Sequence, residues 1–460
     1  MRTILIAAIA SLTVVNALRA QSPPATQPTS QAASGPVGPF KNIIHHGKIL
    51  GRTARQPEAT RFTVVYNMGM LFQLDKTHCL LAAGLEEQGG ADLCVGTQGF
   101  VVQKLSDLAS AQPIPLLTPE ENYQPQTSSE KGYLMKGGAI GGFVPLDAVM
   151  ADGKPHPAAG TGMIIGVCVA YTADRLNPIH AAPQWDGNTY WSDWEMFIEI
   201  VQLRWDGQTL SVTGREQVRD ILGVEGPSTP FSGFILKDGG LIAPFGFKDS
   251  KFRVVRFDWD GKAWTPSAMG KPFAATARES EPCLQRQGDR YLVSTRGEDP
   301  KGRMYVSSDG MNFEPLFDWK NHYVPRILNK GLDGSLYLAT NTGPGFLRNP
   351  LLVFPLEGDH FGQPVIVHDQ DGVRDDKSDK IPFVDHAMAS NVFLEGRWRH
   401  LLFYRVCDLK ERTFYGFQKD LIQKFQGGKG PIPMRPTSGL YCAEIEYDKV
   451  VDPPFRFAGE

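Results

Sequence analysis

Two short segments of this sequence combine acidic, basic and imidazole groups at spacings that suit proton transfer and anion binding. In ESEPCLQRQGDRYLVSTRG (279–297), Glu281 precedes Arg296 by fifteen residues. A carboxylate can act as a base, and a guanidinium presents a rigid fork that matches two carboxylate oxygens. In FVDHAMASNVF (383–393), Asp385 and His386 add a carboxylate and an imidazole, which titrates near neutrality. The candidate catalytic groups are therefore Glu281, His386 and Asp385.

Each of these candidates also has a structural alternative. Glu281 and Arg296 suit a purely structural buried pair, and His386 suits a core histidine bonded to a backbone carbonyl. Asp385 either orients His386 or acts itself, although adjacent residues on a strand point to opposite faces. The sequence leaves these alternatives open.

Further basic and aromatic residues extend the candidate binding site. Arg296 and Arg348 lie in neighbouring repeat units and suit recognition of an anion. Arg326 stands near the start of a predicted inner strand, where side chains line the centre of the fold. Tyr441, in the alternating segment SGLYCAEIEYD (438–448), is either a ring-stacking residue or part of a core or rim strand.

Metal and sugar binding have candidate segments of their own. The acidic run HDQDGVRDDKSDK (368–380) resembles a calcium loop but lacks the spacing of an EF-hand, so a solvated loop is the alternative. We therefore predict no cofactor, with calcium kept as the one exception. The segment WDGNTYWSDWEMF (185–197) contains three tryptophans, which suit either stacking on a sugar ring or covering a sheet edge. The pair His45-His46 suggests either one pocket residue or a surface pair.

The elements that must position these residues repeat about every fifty residues. Turns with an acidic residue recur between short apolar strands at Asp206, Asp260, Asp309 and Asp359. One unit is therefore two hairpins, and it must stack on copies of itself to bury both faces. The sequence predicts an all-β, six-bladed β-propeller; seven blades also fit the spacing, and a β-sandwich is the alternative. The predicted units are 62–110, 135–212, 228–268, 279–318, 323–368 and 384–450.

The remaining segments complete the predicted domain organisation. Residues 1–20 have the charged, apolar and small-residue regions of a signal peptide, which predicts a secreted or periplasmic protein. Residues 21–38 form a predicted disordered linker, and 39–460 a single propeller domain. Two segments, GREQVRDILG (214–223) and KDLIQKFQGG (419–428), are predicted to be short helices that decorate loops.

The net charge and the cysteine content restrict the classes of binding partner, metal site and disulfide that the sequence allows. The net charge of −3 favours neither nucleic acid nor an anionic membrane surface, and we expect a monomer without a membrane anchor. The six cysteines match no zinc motif. Two neighbouring-strand disulfides, Cys79–Cys94 and Cys407–Cys442, are compatible with export, and buried free thiols are the alternative.

One repeat resembles a known motif. SSDGMNFEPL (307–316) resembles the Asp-box of sialidases and related β-propellers, in which the aspartate caps a turn between outer strands. The spacing of Glu281 and Arg296 is similar to that of a sialidase segment, and Arg348 stands in the position of another family arginine. The resemblance implies three arginines that hold a substrate carboxylate. Arg52, Arg55 or Arg61 could each supply the first, and Arg55, which is followed by Gln-Pro, is preferred. At the position of the family's nucleophilic tyrosine, however, this sequence has Asp385-His386.

These features predict an exported carbohydrate-active enzyme with an oligo- or polysaccharide substrate. The first hypothesis is a glycoside hydrolase that cleaves an acidic glycan, with Arg296 and Arg348 holding the carboxylate. The second is a polysaccharide lyase, in which arginines neutralise a uronate and His386 removes a proton. The third is a propeller that binds glycans without catalysis.

Overall fold

The computed structural model describes most of the chain after residue 39. The described ranges are 40–51, 63–88, 93–126, 129, 131–172, 195–228, 230–273, 279–297, 301–320, 326–341, 348–369, 380–410, 439–451 and 453–458. Within these ranges the regular structure is strands and one 3₁₀ helix, Leu105–Ala109. No helix there has both the length and the apolar character needed to cross a membrane. The prediction of an all-β fold is confirmed.

The strands follow one another in short antiparallel runs. The first eight are β1 (Asn42–Leu50), β2 (Thr63–Gln73), β3 (Cys79–Gln88), β4 (Leu93–Val102), β5 (Ile114–Leu117), β6 (Glu120–Tyr123), β7 (Gly132–Val144) and β8 (Ala148–Val149). The next nine are β9 (Thr161–Thr172), β10 (Glu195–Trp205), β11 (Leu210–Val218), β12 (Asp220–Ile221), β13 (Val224–Glu225), β14 (Ile235–Lys237), β15 (Gly240–Gly246), β16 (Phe252–Trp259) and β17 (Trp264–Met269).

The second half of the chain continues in the same way. Its strands are β18 (Glu279–Gln287), β19 (Arg290–Gly297), β20 (Lys301–Ser307), β21 (Glu314–Lys320), β22 (Ile327–Lys330), β23 (Leu336–Thr340), β24 (Leu351–Glu357), β25 (His360–Phe361), β26 (Val365–His368), β27 (Lys380–Leu394), β28 (Arg397–Lys410), β29 (Gly439–Glu446) and β30 (Arg456–Phe457).

These strands form sheets in a propeller-like arrangement. Two sheets are sequential meanders, β14 to β17 and β18 to β21. In a third sheet β22 to β25 follow in order, and β26 also pairs with β24. A fourth, the closing sheet, has the order β1-β29-β28-β27. A nine-stranded sheet contains β2 to β5 and β6, β7, β9, β10 and β11, and its two halves are joined by a single parallel pair, Gly96 with Gly137.

The closing sheet joins the two ends of the chain. The segment around His45 precedes the first predicted unit along the chain. In the structure it forms β1, which pairs along its length with β29 of the last unit. The last unit alone supplies three strands, and β1 completes it as the fourth. Pairing of a distant strand depends on ring closure, which no local pattern in the segment encodes.

The innermost strands meet in a central apolar core. Five of these strands contribute Met70, Ile140, Cys283, Ile327 and Met388, and residues of neighbouring strands complete the cluster. Other apolar clusters lie between neighbouring sheets. One of them joins Leu71 and Leu81 of the first strands to Leu401 and Phe403 of the closing sheet. Burial of both faces of each sheet is what the repeat predicted.

Acidic turns connect the outer strands as the repeat suggested. The carboxylates of Asp206, Asp260 and Asp309 each accept the backbone N–H groups of the residues two and three positions later, at 2.7–2.9 Å. Asp309 also accepts a bond from Ser307 Oγ, and Phe313 is buried beneath the turn. These hydrogen bonds, despite some burial, lower the pKa of the Asp309 carboxyl. The Asp-box is therefore a structural cap here.

One local prediction was wrong, and one open alternative is decided. Residues 214–223, predicted as a helix, lie in β11 and the small β12–β13 hairpin. β11 is an edge strand that, among the described strands, pairs only with β10 in its sheet. Its polar side chains therefore reach solvent, as those of an exposed helix would. The cysteines Cys79 and Cys442 are buried free thiols, so the alternative to the two disulfides is confirmed. In the strand registers Cys79 faces Val102, not Cys94.

The chain ends in a tail that crosses the inner turns of several sheets. Val451 N–H donates to Leu332 O at 2.9 Å, and β30 pairs with β8. The Phe457 ring is buried and stacks on Trp398, with 5.9 Å between ring centroids. The tail thus ties the closing sheet to the nine-stranded sheet.

Candidate functional site

Two inner strands carry the same backbone irregularity at the candidate catalytic residues. The pairing of β18 with β19 shifts between Ser280 and Cys283, and that of β27 with β28 shifts between Asp385 and Met388. The residues in these bulges, Glu281 and His386, have φ angles of 53° and 52°. Left-handed backbone at a non-glycine residue costs about 1–3 kcal/mol, and such strain clusters at functional sites.

Asp385 is the anchor of the site in the closing sheet. Its carboxylate is 1% exposed and accepts two bonds from Arg405, Nε to Oδ1 and Nη2 to Oδ2, each 2.8 Å long. Arg348 Nη1 donates to Oδ2 as well. Burial alone would raise the pKa of Asp385, but Arg405, His386 and Arg348 outweigh it and hold that pKa well below its usual range. Asp385 therefore stays ionised.

The bulge brings His386 to the same side as its neighbour. His386 Nδ1 lies 3.0 Å from Asp385 Oδ1. Adjacent side chains of a regular strand point to opposite faces, but the left-handed residue in the bulge removes that restriction. With Nδ1 at the carboxylate, Nε2 is the nitrogen that remains for a reaction partner.

Glu281 and Arg296 repeat this arrangement in the sheet β18 to β21. Arg296 Nη1 donates to Glu281 Oε1. Glu281 Oε2 is buried and makes no hydrogen bond within the described residues. Arg296 faces Ser280 in the strand register, just as Arg405 faces Asp385, so each arginine stands beside the residue that begins a bulge.

Phe231 contacts the residue next to Glu281 and the ring of His386. Its N–H donates to the carbonyl of Pro282, next to Glu281, at 3.0 Å. Its ring lies 6.2 Å from the His386 ring, at an interplanar angle of 35°. Phe231 is therefore hydrogen-bonded beside Glu281 and lies against the ring of His386.

Three arginines and two carboxylates supply the charged groups of the site. They are Arg296, Arg348 and Arg405, with Glu281 and Asp385. The three arginine side chains are at most 7% exposed. Glu281 and His386, with side chains 15% and 10% exposed, are the members that reach furthest toward solvent.

The other predicted site residues lie elsewhere or outside the described ranges. Arg326 is fully buried, and its guanidinium carbon lies 5.8 Å from the Trp319 ring centroid. Tyr441 packs with Tyr404 and His368 in the closing sheet. Arg55 lies outside the described residues.

The two histidines of β1 do not join the site residues described above. His46 Nε2 lies 3.2 Å from Glu444 in the closing sheet. Burial, and then the charges of His368 and His46, lower the pKa of His45. Of the acidic run, residues 370–379 lie outside the described ranges, as do residues 185–194 of the tryptophan segment. Elsewhere in the described chain, no three His, Cys, Asp or Glu side chains are grouped as metal ligands.

Arg405 and Phe231 belong to this site but were not among the predicted site residues. For Arg405 a signal was present, since it ends the second strand of its unit as Arg296 does. Phe231 had none, because its segment lies between repeat units and only the folded chain brings it to His386.

Comparison with known proteins identifies fold relatives only. No family model matches the chain, and no curated protein matches it. A crystal structure of a protein of unknown function from Dyadobacter fermentans covers 88% of this chain and 99% of its own at 12% identity, with a TM-score of 0.52. Its likeness shows the fold alone.

Sialidases are also among the similar structures. The Trypanosoma rangeli sialidase matches 84% of this chain at 10% identity with a TM-score of 0.48. This chain spans 62% of the length of that sialidase. A variant of the NanB sialidase from Streptococcus pneumoniae matches 89% of this chain and 71% of its own at 11% identity, with a TM-score of 0.45. We take no activity from these matches.

Proposed function

We propose that this protein is a carbohydrate-active enzyme, a glycoside hydrolase that cleaves a carboxylate-bearing glycan. The observation that carries the proposal is the cluster of three buried arginines, Arg296, Arg348 and Arg405, around the two bulges. Such a cluster favours an anionic substrate group, and the planar guanidinium suits a carboxylate.

The proton-transfer groups of this proposal are Glu281 and His386. Both have left-handed backbone in the bulges, and both keep part of their side chain exposed. A hydrolase needs one group that donates a proton to the leaving oxygen and another that activates the nucleophile. Asp385 is 1% exposed and bound by two arginines, so we assign it the role of holding His386 and the arginines.

A polysaccharide lyase is the second candidate, and the Asp385–His386 contact favours it. A lyase neutralises the uronate carboxylate and removes the adjacent proton with one oriented base. His386 beside a buried carboxylate is such a base, and the arginines supply the positive charge. The two candidates share the site and differ in the bond that breaks.

Incubation with a panel of acidic oligosaccharides tests the proposal. A hydrolase releases reducing ends alone, whereas a lyase product also absorbs in the ultraviolet through its new double bond. We expect E281Q and H386Q each to reduce kcat/KM by about 10²–10⁴-fold. R303K, in an exposed ion pair with Asp318, is the matched control and should retain activity.

Cleavage at the wild-type rate by both E281Q and H386Q would show that the site is elsewhere. Retention of an acidic glycan on an affinity column without cleavage would instead indicate a binding protein.

We further propose six blades, an exported monomer and no resident cofactor. Six blades follow if the two halves of the nine-stranded sheet are separate blades, since four further sheets complete the ring; an experimental density map tests the count.

N-terminal sequencing of protein from the medium or periplasm should begin at Gln21, and light scattering should give the monomer mass. Activity unchanged by a chelator would argue against the calcium exception.

A further inference from the structure

The segment that carries Phe231 leads into β14 and bonds to the inner strands of two other sheets. Between β13 and β14, Phe234 N–H donates to Gly141 O of β7 at 2.9 Å. Ser232 Oγ, which is buried, accepts the N–H of Leu284 in β18 at 2.8 Å. With the Phe231–Pro282 bond, these contacts fix the segment to two inner strands of different sheets.

The backbone of Phe231 is held from both sides. Its N–H donates to Pro282 O, and its carbonyl accepts from Cys283 Sγ at 3.4 Å. Pro282 lies in the bulge that carries Glu281, so the position of Phe231 depends directly on that bulge. The Phe231 ring, partly buried, packs against the central core.

The ring of Phe231 extends this support to the other bulge. It lies 6.2 Å from His386, which belongs to β27 of the closing sheet. Asp385 Oδ1 lies 3.0 Å from the imidazole Nδ1. The aromatic ring lies against the imidazole, so two contacts together limit rotation of the histidine side chain.

We propose that Phe231 is a positioning residue that fixes the orientation of the His386 imidazole. The inference rests on the proposed function for its catalytic meaning, because His386 transfers a proton there. Catalysis depends steeply on the placement of such a group, and an error of about 1 Å can cost a hundredfold in rate. The physical contact itself does not depend on the substrate.

Three variants separate positioning from folding. F231L keeps an apolar side chain but loses the planar ring, whereas F231Y keeps the ring. F234L is the matched control, since the Phe234 ring packs on Phe245 and Phe257 in the same region. We expect F231L to reduce kcat about tenfold to a hundredfold with little change in KM, and F231Y and F234L to stay near wild type.

A measurement without substrate tests the contact independently. In protein labelled with ¹³C-histidine, the His386 signal is assigned as the one that H386Q removes. An aromatic ring shifts the resonances of its neighbours, so we expect the His386 signal to move in F231L and to stay in place in F234L.

An unmoved His386 signal in F231L would overturn the inference, whatever the kinetics. A moved signal with unchanged kcat would overturn the catalytic role of the contact. If wild-type protein cleaves no acidic glycan while the signal moves, the proposed function fails and the positioning contact stands.

Discussion

Arg405 binds Asp385 through two parallel hydrogen bonds of 2.8 Å, one to each carboxylate oxygen. The two residues face each other in the register of β27 and β28, immediately before the bulge that carries His386. The Arg405 guanidinium therefore joins β27 and β28 at the last regular pair before the bulge. A buried charge pair with this geometry specifies one arrangement of the site.

Removing the charge of Asp385 should destabilise the protein strongly. D385N keeps the side-chain size but leaves Arg405 and Arg348 buried without their counter-ion. The loss of one partner of a buried pair costs about 3–5 kcal/mol. Urea unfolding of wild type and variant measures the difference.

The matched control for D385N is D318N. Asp318 also binds an arginine through two oxygens, Arg303, but its side chain is 40% exposed. Water replaces that interaction, and we expect a loss below about 1 kcal/mol. Equal losses in the two variants would contradict the role given to Asp385.

His400 should make the stability depend on pH. It is fully buried between Tyr337 and Asn391, and burial lowers its pKa from 6.5 to about 3. The folded state then stays unprotonated while the unfolded chain takes up a proton. The stability is therefore complete above pH 6.5 and is lost as pH falls toward 3, by about 2 kcal/mol at pH 5.

Urea unfolding at pH 7 and pH 5 measures this loss. The H400Q variant lacks the titrating group, so its stability should change less between the two pH values than that of wild type. H360Q, at a side chain 72% exposed, should keep the wild-type dependence. The prediction fails if H400Q and wild type lose the same stability.

Replacing Leu222 by asparagine should stabilise the protein. Leu222, with φ of 51° and 52% exposure, precedes Gly223 in the two-residue turn between β12 and β13. Asn-Gly favours left-handed backbone at both positions, so L222N should gain about 0.5–1 kcal/mol in the free energy of unfolding. V450N, at an exposed residue outside the turn, is the control, and an equal gain there would show that removing an exposed apolar side chain, and not the turn, is the cause.

The C-terminal tail should contribute to global stability. F457A removes a buried ring from its stack on Trp398 and should cost about 3 kcal/mol. V451A, in the same tail but 56% exposed, should change the free energy by less than about 0.5 kcal/mol. If F457A unfolds like wild type, the tail is a separate, frayed segment.

Local chemistry made part of the fold predictable. An aspartate such as Asp309 caps its own turn through neighbouring backbone groups, so its spacing along the chain revealed the hairpins. The polar pattern of β11 suggested a helix because an edge strand and a helix can both expose such residues. The place of β1 was missed because its partner β29 lies almost four hundred residues away.

The sequence by itself determined the residue types of the site and the strands that bear them. Glu281, Arg296, Arg348, Asp385 and His386 were all identifiable by chemistry and repeat position. The tertiary structure decided which of them meet. The two bulges give Glu281 and His386 left-handed backbone. Arg405 and Arg348 both bind Asp385. Phe231 contacts Pro282, next to Glu281, and the ring of His386. Such contacts join distant sheets, and their energy exists only once the ring of sheets has closed.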